Sequence, residues 1–224
     1  AYEELFLDMT KEIADKWSAT VMLVPDKSLT VGALLEGGQH HDAENPVIRY
    51  NEEVEYYEHA VAHELGNLQM YLAAERTDNM TEITRTPKTD SVFEKKLGAE
   101  MREKLAGTMP DEQIEATVKQ EKEALIAQFT HDPLNLFVEQ YLYDNYPTLR
   151  PMQFWVLIAQ IRKAVASLKE ERERQPVSPK AFSARKVLHA VAALHFRELF
   201  GIDLFGAFKC NKKEEESAEH ILQA

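Results

Sequence analysis

The residues of this chain best suited to chemistry crowd into one run, Tyr57-Glu58-His59-Ala60-Val61-Ala62-His63-Glu64-Leu65-Gly66-Asn67-Leu68. His59 and His63 stand four apart, which on a helix puts both imidazoles near one face, able to chelate a single ion. Glu64, beside His63, is a carboxylate able to take a proton from a metal-bound water. Asn67, four residues after His63, carries a neutral carboxamide, a weak zinc donor next to imidazole, thiolate or carboxylate. The single cysteine, Cys210, excludes a thiolate-rich cluster and an internal disulfide framework, so a metal would need His, Asp or Glu ligands.

Such a run needs a rigid element, and the apolar spacing supplies one. A helix is predicted from about Glu52 to Glu75, with Val54, Tyr57, Val61, Leu65, Leu68 and Leu72 within about 40° of one direction. Tyr56, Ala60, His63, Asn67, Met70 and Ala74 form a second face almost without charge. A helix covered on two sides is central. Before it come a helix over about residues 2 to 17, β-like runs at Thr20 to Val24 and Leu29 to Leu35, and a short strand Val47 to Asn51. After the polar segment Thr77 to Asp90 everything reads as helix. Ser91 with Glu94 is a capping-box pattern, Pro110 opens a helix through Phe129, and Asp132-Pro133 caps a shorter one. Pro151 opens another helix, a last long one runs from about Pro179 to Phe200, and the tail from Lys212 reads as solvated helix or partly disordered.

His63-Glu64-Leu65-Gly66-Asn67 resembles the His-Glu-x-x-His motif of the zincin zinc metallopeptidases, with asparagine at the last position. In that motif two imidazoles stand about 6 Å apart along the helix and the glutamate activates the metal-bound water. The resemblance implies an α+β fold: a small N-terminal sheet whose edge strand, placed at Val47 to Asn51, packs on a central active-site helix. Residues 1–80 would form that lobe, and residues 81–224 a helical lobe packed on it. In the gluzincin branch the third ligand is a glutamate, placed here at Glu139, between Val138 and a Leu/Tyr-rich turn. The implied zinc ligands are thus His63, Asn67 and Glu139, with His59 as a possible replacement. Glu64 would be the general base, and His189, His195 and Tyr50 would contact the oxyanion or the substrate.

Asn67 leaves three outcomes open: zinc held by a reduced set, a harder metal, or a weakened or empty site. The expected activity is metal-dependent peptide-bond hydrolysis where the site is competent. The alternative is a non-catalytic domain that binds a peptide or protein segment, since strand addition to a sheet edge holds an extended peptide without hydrolysis. A third reading is a helical interaction protein in which His63-Glu64 is coincidence. His40 and His41, in a polar loop before the third strand, are candidates for substrate contact, while His131 and His220 read as ordinary helix histidines.

The chain of 224 residues carries a net charge of −12, which argues against a nucleic-acid backbone or an anionic membrane as main partner. No run approaches the roughly 20 apolar residues of a membrane span. The first residue is Ala1 with no signal-like segment, which reads as a trimmed or processed terminus. Compartment and oligomeric state stay open, with the cytoplasm as default.

Overall fold

Leu5, Met9, Ile13 and Trp17 recur at helical spacing and form the inner side of α1 (Tyr2–Trp17), where Met9 and Ile13 are fully buried. The computed structural model describes residues 2–36, 45–76, 86–174 and 178–223. Three short strands follow α1: β1 (Met22–Pro25), β2 (Ala33–Leu35) and β3 (Val47–Tyr50). The rest is helical: α2 (Tyr57–Arg76), α3 (Pro87–Phe93), a π turn (Glu94–Gly98), α4 (Ala99–Leu105), α5 (Asp111–Asn145), α6 (Arg150–Glu173), α7 (Pro179–Phe200) and α8 (Lys212–Gln223). The fold is α+β, mostly helix with one small sheet.

The sheet corrects one expectation. β3 is not an edge: it lies between β1, to which it is parallel, and β2, to which it is antiparallel. Among the described residues the edge strand packed on α2 is β2. Two features explain the arrangement. Ile48, in the middle of β3, is fully buried and pairs in register with Leu23 on one side and Leu35 on the other. Gly32, just before β2, lets that strand close on the helix, because a Cβ there would lie 2.8 Å from Ala60 Cβ and 3.1 Å from Tyr57 Cα.

α2 also begins later than the apolar pattern predicts, at Tyr57 instead of Glu52. The Asn51 side chain stops it: its Oδ1 accepts from the Glu53 N–H at 3.0 Å and its Nδ2 donates to the Leu29 carbonyl at 2.8 Å, making a side-chain turn. Tyr56 then takes a left-handed φ of 60° before the helix starts. From there the predicted stripe is the core. Val61, Leu65, Leu68 and Leu72 are buried against Met9, Ile13 and Ile48, and against Val138 and Leu142 of α5. Each such side chain contributes about 1.5–3 kcal/mol by leaving water.

The chain divides into two compact units, Ala1–Thr81 with Phe137–Val156, and Glu82–Leu136 with Leu157–Ala224. The first contains the sheet, α1, α2 and the segment that returns as the end of α5 and the start of α6. The second is helical, with Phe93, Met101, Leu105, Ile114, Val118 and Leu125 in its core. There Arg185 of α7 is held between Glu121 of α5 and Glu171 of α6.

Two helix boundaries and the packing of the tail differ from the sequence pattern. Ser91 lies inside α3, because Pro87 opens that helix earlier. Pro133 lies inside α5 instead of starting a helix, at the loss of one intrahelical bond. The tail is a packed helix: Glu214 and Ala218 of α8 are buried, and Glu214 is paired with Lys186 at 2.6 Å. No helix among the described residues is long and apolar enough to cross a membrane.

Candidate functional site

In the first unit, α2 carries His59, His63, Glu64 and Asn67, and the end of α5 carries Glu139. Gly66 lets the two helices approach closely: a Cβ on it would meet Val138 Cγ1 at 3.1 Å and Leu142 Cδ2 at 3.4 Å. That contact carries Glu139 into the interior, where it is 4 % exposed, as is His59. His63 remains partly open to solvent.

Glu139 lies against both histidines. Its Oε2 is 3.2 Å from His59 Nε2, and its Oε1 is 3.8 Å from His63 Nε2. The two imidazole rings are 6.2 Å apart. Gln153 of α6, fully buried, donates from one Nε2 to Glu139 Oε2 at 2.6 Å and to the Glu139 backbone carbonyl at 2.8 Å. Burial works to raise the Glu139 pKa. The His59 hydrogen bond, the charge of the two histidines and the Gln153 bond outweigh it and hold the carboxyl below its usual range. For His63, burial dominates over the attraction of Glu139 and keeps the imidazole neutral to lower pH than usual. The result is a buried carboxylate that accepts the His59 Nε2–H.

Asn67 and Glu64 form a separate pair. Burial pushes the Glu64 carboxyl up to about 7, against hydrogen bonds from the Leu35 backbone N–H and the Asn67 side chain that pull it down. Asn67 therefore serves Glu64, and the edge strand β2 contacts the same carboxylate through Leu35.

Two imidazoles and a carboxylate are the right donor types for zinc. Their arrangement is not that of a coordination shell, because among the described residues no group of three or more His, Cys, Asp or Glu side chains is placed to hold a metal ion. The His59 nitrogen that would ligate is taken up by Glu139, and Asn67 is engaged with Glu64. The His59/His63 pair is followed at the first histidine by Ala60, so it lacks the adjacent carboxylate that the motif places there. The residues present do not fit a catalytic zinc centre.

The remaining candidates belong to the second unit or serve packing. Tyr50 stacks on Tyr57, ring centroids 5.9 Å apart and 14° between planes, and packs on the core of the first unit. His189 and His195 belong to the second unit. His189 is half-buried, its pKa lowered by burial although Asp132 pulls the other way. His195 is buried at 5 % exposure. His131 is exposed, with its Nδ1 2.8 Å from the Ala127 carbonyl. His40 and His41 lie outside the described residues.

Sequence reasoning missed two participants. Gln153 sits in Pro151-Met152-Gln153-Phe154-Trp155, where the aromatics promise burial. The structure buries the glutamine and leaves Trp155 53 % exposed. Its Oε1 has no hydrogen-bond partner among the described residues, at a cost of about 1–3 kcal/mol. The Leu35 N–H is a backbone group that no side-chain pattern announces.

The raised Glu64 pKa makes a stability prediction. The unfolded chain gives up this proton near 4.5 and the folded chain near 7, so the contribution is complete below about 4.5 and is lost as pH climbs to about 7. Discounted for partial exposure, the loss is about 1–3 kcal/mol. Urea midpoints of the unaltered protein and Glu64→Gln, compared at several pH values, should diverge in favour of the variant as pH rises. Parallel curves would refute the assignment.

Compared with known proteins, the chain matches no family model, no curated protein and no solved structure.

Proposed function

We propose that this chain is a metallopeptidase-like domain on the zincin plan whose metal centre is degenerate and which holds an extended peptide or protein segment. The observation carrying this reading is the hydrogen bonding of the expected third ligand: Glu139 is bonded by His59 and Gln153. Among the described residues no complete ligand set remains for metal-dependent hydrolysis.

Peptide holding is supported by β2. On its inner side Glu36 N–H donates to the Val47 carbonyl at 2.8 Å and the Gly32 carbonyl accepts from Asn51 N–H at 3.0 Å. In the antiparallel pattern this turns the backbone groups of Ala33 and Leu35 away from β3. An incoming strand would pair with those groups, and Leu34 and Val31, 48 % and 50 % exposed, offer apolar contacts beside it. Leu35 N–H already meets Glu64, so a bound segment competes with that carboxylate.

The test has two arms. Untagged protein should contain well under one zinc per chain, and Asn67→His, which restores a second imidazole four residues after His63, should raise zinc affinity at least about tenfold. Stoichiometric zinc in the unaltered protein, or peptide hydrolysis abolished by Glu64→Gln, would sink the degenerate-site reading. No zinc in Asn67→His would sink the zincin plan itself. Separately, peptides from a casein digest should shift the Ala33 and Leu35 amide signals in NMR spectra, and unchanged signals would remove the case for peptide holding.

A further inference from the structure

We propose that a direct hydrogen-bond network, His59 to Glu139 to Gln153, fastens the elements that a metal ion would fasten in the fold this chain resembles, so that the first unit keeps its shape without metal. The inference rests on the degenerate-site reading and says what replaced the ion.

Three separate helices meet in this network: α2 through His59, the end of α5 through Glu139 and the start of α6 through Gln153. All three residues are at most 4 % exposed. Oε2 of Glu139 receives both neighbours, His59 at 3.2 Å and Gln153 at 2.6 Å. Gln153 also donates to the Glu139 backbone carbonyl at 2.8 Å, which ties the carboxylate to its own main chain and fixes its direction. Gly66, where a Cβ would meet Val138 and Leu142, lets the same two helices approach beside it. A buried carboxylate needs such partners, because leaving it bare in the interior would be far more costly.

The network and a metal on His59 Nε2 exclude one another. A ligating imidazole must present a bare nitrogen to the ion, whereas His59 Nε2 carries a proton toward Glu139. Zinc could use His59 Nε2 only by breaking the bond that joins α2 to α5. The network therefore predicts indifference to metal, where a metal-fastened site would show dependence on it.

Thermal unfolding of the untagged full chain, followed by circular dichroism, tests this. The Tm should be the same in buffer, in EDTA and in excess zinc chloride. His59→Ala should lower it by several degrees, and His59→Gln, which retains an N–H donor, should recover most of that loss. A Tm lowered by EDTA or raised by zinc would overturn the proposal, as would an unchanged Tm in His59→Ala. Should His59→Ala fail to fold, the EDTA and zinc measurements on the unaltered chain still decide. A chelator-sensitive melt would sink this network and leave the peptide-induced shifts of β2 untouched. Absent shifts with a chelator-indifferent melt would sink only the peptide reading.

Discussion

Replacing Glu139 with leucine is expected to cost roughly 2–5 kcal/mol of stability, because it removes one member of a buried charged network and strands the others. His59 Nε2 loses its acceptor and Gln153 Nε2 keeps only the backbone carbonyl of residue 139, and neither reaches water, since His59 is 4 % and Gln153 0 % exposed. Leucine fills the volume, so a cavity does not account for the loss. Urea unfolding at neutral pH checks the size of the effect. Its pH dependence checks the cause. A carboxylate held below its usual range stabilises the fold above about 4.5 and ceases to do so as pH falls through its folded pKa. The gap between the unaltered protein and Glu139→Leu should therefore narrow in acid. A variant as stable as the original at neutral pH would mean that the hydrogen bonds around Glu139 contribute nothing net.

Gly32→Val is expected to cost roughly 3 kcal/mol and to loosen the contact between β2 and Glu64. The glycine here serves close approach, not an unusual φ. A Cβ would lie 2.8 Å from Ala60 Cβ and 3.1 Å from the backbone at Tyr57, so there is no flexible side-chain end to swing away. Either β2 lifts from α2 or the helix shifts. In both cases the Leu35 N–H leaves the Glu64 carboxylate. Hydrogen exchange at the Leu35 amide should accelerate along with the drop in urea midpoint. An unchanged exchange rate would show that the edge strand does not depend on this approach.

The sequence by itself determined α2 and its stripe. Val61, Leu65, Leu68 and Leu72 repeat at helical spacing, and a helix that must hide such a stripe has one way to face. It also determined that β3 leads into that helix, and that His59 and His63 share a side of it, because a four-residue spacing on a helix is fixed by local geometry. It could not determine what each polar group bonds. The position of β2 at the edge depended on strand pairing between segments whose own sequences do not name their neighbours, and on Gly32, which only the closeness of Ala60 explains. The partners of Glu139 came from His59, 80 residues earlier, and from Gln153, 14 residues later in another helix. Asn67, read in sequence as a weak zinc ligand, sits beside Glu64, whose carboxyl burial and the Leu35 N–H also act on. Periodicity records which faces are apolar. Hydrogen bonds between distant segments depend on distances and directions that exist only after those faces have packed.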